Sequence, residues 1–231
     1  MGLLFMIDLS PLWISLKTGI VATCFSFFIG IFAARRVMKC GSKTKSILDA
    51  LLTLPLVLPP TVAGFFLLMI FSLRRPFGSF LYLNFNLQMV QTWYGCVVAA
   101  AVISFPLMYR NARGAFEQVD TTMIYAAKTL GCSDLYIFWK VIMPLAAPGI
   151  RSGTILAFAR AIGEYGATVM LAGNVAGKTR TLATAIASET ASGNYSKAGF
   201  WVTIILGISF IMVILLNVLS AKATKSIRRW D

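Results

Sequence analysis

Long apolar runs separated by polar stretches organise this chain. Leu12 to Ala34, Ile47 to Phe71, Val90 to Tyr109, Gly149 to Leu171 and Ala198 to Leu219 are each mostly apolar, and about 20 such residues cross a hydrocarbon core of roughly 30 Å as a helix. The pattern predicts an all-α integral membrane protein, a helical bundle of about five transmembrane helices, in one domain over 1–231. Between the third and fourth runs, about 112–144, the pattern changes to a polar, helix-forming insert. From Phe116 to Leu130, the residues Val119, Met123, Ala126, Ala127 and Leu130 recur at helical spacing and make one face with small residues at its centre. Gly131 suits a helix C-terminus, Ser133 and Asp134 can cap a following helix, and Pro144 and Pro148 limit how far that helix continues. The expectation is two short helices joined by a tight bend, either an ordinary surface hairpin or a surface built for a partner.

Composition agrees with the runs. With 231 residues, 58% of them hydrophobic, and a mean hydropathy of +0.79, the chain is far more apolar than a soluble domain of its size needs to be. A net charge of +13 would suggest nucleic acid in a soluble chain, but among membrane spans the distribution of charge informs more than its sum. No nucleic-acid partner is expected, and lipid surrounds the spans. Arg35, Arg36, Lys39, Lys43 and Lys45 follow the first run, Arg110, Arg113, Lys128 and Lys140 the third, and Lys222, Lys225, Arg228 and Arg229 the fifth. The other loops hold only Arg74, Arg75, Lys178, Arg180 and Lys197. Positive charge concentrates inside, so the N-terminus is expected outside, the C-terminus and the Gly131 bend in the cytoplasm. No basic stretch precedes the first run and no small-residue cleavage site ends it, so it is read as a retained anchor. Cys24, Cys40, Cys96 and Cys132 lack the spacing of a metal site or disulfide framework.

Three prolines interrupt the second run in Leu54-Pro55-Leu56-Val57-Leu58-Pro59-Pro60, and they free backbone carbonyls that a straight helix would satisfy. A broken helix is expected there, as a packing kink or a pathway-lining hinge, and Pro106 permits a weaker form of the same argument. In the fourth run Arg160 and Glu164 stand four apart, on one face of a helix, and can pair. Counted from Gly149 they lie on the order of 15 to 23 Å in, where charge faces a bundle interior or a water-filled path. A structural ion pair and a direct part in anion passage both remain open. The chain has no histidine and no second buried acid beside Glu164, which disfavours a membrane-embedded enzyme. The stretch Ala172 to Thr179 imitates a phosphate-binding loop, but a membrane span precedes it where that motif requires a strand. Lys178, Thr179, Arg180 and Thr181 read better as an outside surface that meets a binding protein, or as solvated charge.

The spacing of Ala126-Ala127, Gly131 and, after a nine-residue gap, Val141-Ile142-Met143-Pro144 closely resembles the EAA loop of ABC importer permeases. In that family the loop docks into a cleft on a cytoplasmic ATPase. Tyr125 stands where Glu is usual and Met143 where Leu is usual, so one ionic contact is in doubt while the small face and the glycine bend remain. Leu54 to Gly64 (LPLVLPPTVAG), Ser104 to Arg110 (SFPLMYR), Phe158 to Thr168 (FARAIGEYGAT) and Gly173 to Thr181 (GNVAGKTRT) extend the likeness over nearly all the chain. Together they look like the molybdate permease subunits, and sulfate permeases share much of the pattern.

The resemblance implies a type I ABC importer permease fold in the cytoplasmic (inner) membrane, with a cytoplasmic coupling-helix loop. It implies two permease copies, an ATPase dimer that carries the ATP and Mg²⁺, and an extracytoplasmic oxyanion-binding protein, with no cofactor or metal on this chain. The coupling residues would be Tyr125, Ala126, Ala127, Gly131, Ser133, Asp134, Leu135 and Tyr136. Pathway or gate candidates are Pro59, Pro60, Thr61, Ser104, Arg160, Glu164 and Thr168. A divalent oxyanion favours backbone N–H groups, hydroxyls and limited positive charge, because a dense cationic cage would not release it. A stand-alone channel or secondary transporter would need no docking loop.

Overall fold

The structure, a computed structural model, describes residues 8–227, with side chains in the last helix as far as Val218. The Lys222 and Lys225 side chains and the whole of Arg228 and Arg229, which enter the charge pattern, lie outside the described residues. The described chain is helical throughout: α1 (Ser10–Met38), α2 (Ser42–Val57), α3 (Pro60–Phe71), α4 (Pro76–Phe85), α5 (Trp93–Glu117), α6 (Thr121–Thr129), α7 (Asp134–Ile137), α8 (Met143–Ile162), α9 (Gly166–Ala172), α10 (Leu182–Ala191) and α11 (Tyr195–Ile227). A π-helical turn, Phe138–Ile142, joins α7 to α8.

Among the described residues, four helical stretches are long and apolar enough to span a membrane: Ser10–Met38, Trp93–Glu117, Asp134–Ile162 and Tyr195–Val218. The second apolar run supplies a fifth only as the pair α2 and α3, bent by 109°. The proline cluster thus breaks the helix as expected, though at one point. Pro55 stays inside α2, while Leu58 and Pro59 are extended and Pro60 opens α3, the position at which a missing N–H costs nothing.

The fourth run differs from its expected bounds of Gly149 to Leu171. Its helix begins at Asp134, passes Pro144 and Pro148, and ends at Ile162. Pro148 sits inside α8 itself, while at Pro144 the π turn directly upstream gives the reason. There the Met143 N–H bonds to the Phe138 carbonyl, five residues back, which widens the helix where the Pro144 ring would meet the preceding turn. Pro106 likewise sits within an unbroken α5. The sequence pattern did not indicate α4 or α10.

The core forms where α1, α5 and α8 pack together around Met108, Tyr109, Ala112, Phe116, Ala34 and Ala157. Ala22, Ala100 and Ala161 meet in a second cluster, and such small residues bring membrane helices close, since apolar burial gains little in lipid. Polar ties fix the opposite end: Trp93 Nε1 donates to Thr18 Oγ1 at 2.9 Å, and the Leu182 N–H to Ser15 Oγ at 2.7 Å. A third cluster joins α3, α5 and α9 through Ala63, Leu67, Ile103 and Leu171.

Candidate functional site

The bend after α6 is built by local chemistry. Asp120 caps α6, accepting from the Thr122 N–H at 2.8 Å. The helix ends in a Schellman motif: Cys132 N–H bonds to the Ala127 carbonyl and Gly131 N–H to that of Lys128. Gly131 sits at φ +76°, where a Cβ is unwelcome. Ser133 then caps α7, its hydroxyl accepting from the Tyr136 N–H at 3.3 Å, and Asp134 lies 3.6 Å from Lys128 and 3.8 Å from Lys39. The two short helices and the tight bend are therefore present.

The expected apolar face is altered. Gln118 to Asp120 separate α5 from α6, and Val119 turns into the core. The exposed surface of the bend is instead Met123, Tyr125, Ala126, Leu130, Leu135, Tyr136 and Trp139, with Ala127 half-buried. Leu130 is 82% exposed, so large apolar side chains stand in the open on the polar insert, as they do on partner surfaces. Behind it, a cavity of ≈ 220 Å³ is lined by Arg35, Lys39, Phe116, Ile124 and Phe138.

A second constellation forms where two helix breaks meet. The Gly163–Tyr165 break ends α8, so Glu164 does not continue the helical face of Arg160. The two still pair, Arg160 Nη1 standing 2.8 Å from Glu164 Oε2. This contact lacks hydrogen-bond geometry, and Oε2, fully buried, has no hydrogen-bond donor. The other oxygen, Oε1, accepts from the Ala167 N–H at 2.9 Å and so satisfies a free donor in the first turn of α9. Directly beyond, the start of α9 abuts the start of α3: a Cβ on Gly166 would lie 3.0 Å from Pro60 Cβ and 3.1 Å from the Thr61 nitrogen.

Pro59, Pro60 and Thr61 are thereby placed beside the Glu164 to Thr168 segment. Thr61 is exposed and Thr168 buried. Ser104 is elsewhere, fully buried and 3.0 Å from Ser26 Oγ between α1 and α5.

The loop between α9 and α10 requires a correction. Thr179 is fully buried, its hydroxyl accepting from the Val175 N–H and its carbonyl facing Cys96 Sγ. Thr181 is buried as the cap of α10. Both hydroxyls hold the loop in shape, leaving Lys178 and Arg180 as its accessible charges. Arg180 donates to Asn174 and lines a polar cavity of ≈ 130 Å³ with Asp8, Glu189 and Lys197. The N–H groups of Lys178, Thr179 and Arg180 all turn to the Val175 carbonyl, so they form no phosphate cradle.

One group of residues went unnoticed in the sequence. Lys45 and Asp49 on α2 interleave with Tyr109, Arg113 and Glu117 on α5: Arg113 pairs with Asp49 and Glu117, Lys45 with Glu117, and Tyr109 donates to Asp49 at 2.9 Å. The signal was the four-residue spacing within each set, with matching charge.

Residues 26–225 match the family described as binding-protein-dependent transport system inner membrane component. The chain is 44% identical over 185 residues to the molybdenum transport system permease protein ModB of Escherichia coli, covering 78% of this chain and 81% of that protein. It is 32% identical over 209 residues to the sulfate transport system permease protein CysT of Salmonella typhimurium, covering 90% and 75%. Among solved structures, an inward-facing MetNI methionine ABC transporter aligns over 99% of this chain and 98% of the matched chain, with a TM-score of 0.67 at 16% identity.

Proposed function

The chain belongs to the family of binding-protein-dependent transport system inner membrane components, and on that premise we propose that it is the permease subunit of an ATP-driven molybdate importer. Greater identity to a molybdenum permease than to a sulfate permease supports the substrate. The geometric observation that carries the reading is the exposed apolar bend fused, through the π turn, to a membrane-length helix. A surface of that kind can pass movement of a cytoplasmic partner into the bilayer.

In this reading the partner is an ATPase dimer that binds ATP and Mg²⁺, and the permease itself is a homodimer with the path on its two-fold axis. The basic loops lie in the cytoplasm and the N-terminus outside. Closure of the ATPases around ATP moves the bend and opens the α3/α9 junction outward, and hydrolysis resets it. Only differential contact with the two ATPase states can drive that change. An extracytoplasmic binding protein delivers the anion near Lys178 and Arg180. Arg160, already neutralised by Glu164, offers modest positive potential to a dianion without holding it. In this reading nucleotide and Mg²⁺ belong to the ATPase, and no cofactor is assigned to the permease.

The test is molybdate uptake by vesicles reconstituted with this chain, its ATPase and its binding protein. Uptake should require ATP and be competed by tungstate more than by sulfate. Stronger competition by sulfate would favour a sulfate-type permease, and uptake without the ATPase would overturn the reading.

A further inference from the structure

The ladder between α2 and α5 lies outside every role assigned so far. It contains two cations, Lys45 and Arg113, and two anions, Asp49 and Glu117, each within ion-pair distance of an opposite charge. Charge is balanced inside the group, so it offers no net attraction to a passing anion. Its position is more informative. Glu117 is the last residue of α5, and only Gln118, Val119 and Asp120 separate it from α6. At the far side, α2 continues from Asp49 for about 12 Å to the break at Leu58, beyond which α3 meets α9.

Beyond Leu48 and Leu52, which pack against the core, the helix so braced has little else to hold it. No residue of α2 is fully buried, and Leu51, Leu54, Leu56 and Val57 are exposed. The ladder supplies geometry where packing is thin. Glu117 Oε1 accepts from both Lys45 Nζ, at 2.8 Å, and Arg113 Nε, at 3.0 Å, while Asp49 Oδ1 takes both Arg113 and the Tyr109 hydroxyl. Each acid therefore joins two partners, and Arg113 links the acids. A network with shared members resists sliding and rotation of one helix past another more than isolated exposed pairs do.

We propose that this ladder is the brace by which movement at the α6/α7 bend reaches α2 and the α3/α9 junction, with Arg113 and Asp49 as positioning residues for energy coupling. The proposal rests on the ATP-driven import reading. Its particular content is that the braced parts of α2 and α5 move as one body.

The full reconstituted transporter tests it, with ATP hydrolysis and molybdate uptake measured in the same vesicles. In Asp49→Asn, hydrolysis should stay within about two-fold of wild type while molybdate moved per ATP falls by about five-fold or more, the lower range of a coupling between two sites. In a Lys45→Cys/Glu117→Cys variant lacking the four native cysteines, uptake per ATP should be low. Joining the new thiols with a short bis-methanethiosulfonate reagent should restore it, because a covalent brace replaces the ionic one. A merely stabilising role predicts that hydrolysis and uptake fall in parallel, leaving their ratio unchanged, and that result overturns the proposal. Transport arrested by the cross-link overturns it as well, and this arm remains decisive should Asp49→Asn fail to assemble. Wild-type vesicles without ATP-driven uptake would remove the import reading itself, a result distinct from either.

Discussion

Gly64 on α3 and Ala167 on α9 touch backbone to backbone: a Cβ on Gly64 would stand 2.7 Å from the Ala167 Cα and 2.8 Å from Met170 Cβ. Gly64→Val should force the two helices apart at a cost of about 1–3 kcal/mol, lowering the thermal midpoint of the purified transporter and reducing uptake. Gly114 in α5 has open space around it, so Gly114→Ala should be neutral or stabilising by up to about 1 kcal/mol. Equal effects of the two substitutions would contradict the close approach of α3 and α9.

At Gly131 the constraint is conformational rather than steric, since nothing lies within 4 Å of a Cβ built there. A left-handed backbone strains a β-branched residue by roughly 1–2 kcal/mol, and asparagine tolerates it better. Gly131→Val should therefore deform the bend, lowering co-purification of the ATPase and transport while membrane insertion persists. Gly131→Asn should retain most of both. Normal uptake by the valine variant would count against the bend as the docking surface.

These two positions show what was legible in the sequence. Gly131 and Ser133 announce themselves through local rules of capping, and the structure places them accordingly; hydropathy finds the apolar runs but not the bounds of the fourth or the bend in the second. Pro144 misled because the π turn that accommodates it has no residue signature, and Pro148 because it is carried inside α8. Glu164 misled because a four-residue spacing from Arg160 looks helical whether or not Gly163 ends the helix. Thr179 and Thr181 look like surface residues until the loop folds back on Val175 and α10. The Tyr109, Arg113 and Glu117 ladder needed its partner helix before its spacing meant anything. Local chemistry could be read directly, while juxtaposition of distant breaks could not.

Glu164 has two separable duties. Glu164→Gln keeps an oxygen to accept from the Ala167 N–H but removes the charge opposite Arg160, whereas Glu164→Ala removes both. The alanine variant should be the less stable by about 1–3 kcal/mol, the cost of a buried donor left without its acceptor. Denaturation of the two variants side by side would measure it, and indistinguishable stabilities would rule out the capping duty.

The Thr122 N–H donating to Asp120 holds that carboxyl below its ordinary value. A depressed carboxylate stabilises α6 fully above its unfolded-chain pKa and loses that contribution as pH falls through the folded one. Hydrogen exchange in the first turn of α6, corrected for intrinsic rates, should therefore rise on acidification in wild type. Asp120→Asn should abolish that dependence while keeping the cap.

Cys132 beside the bend and Cys40 after α1 are both partly accessible. In sealed right-side-out vesicles neither should react with a membrane-impermeant thiol reagent, and both should react once the vesicles are opened. Labelling of Cys132 from the exterior would invert the topology and detach the ATPase from the bend.

Because α7 continues through the π turn into α8 as one helical stretch, the segment that a motor would grip and the Gly163 break are opposite ends of a single element, about 43 Å long at helical rise. In the import reading, a tilt imposed at Tyr136 travels toward Arg160 along one continuous element instead of crossing a loop.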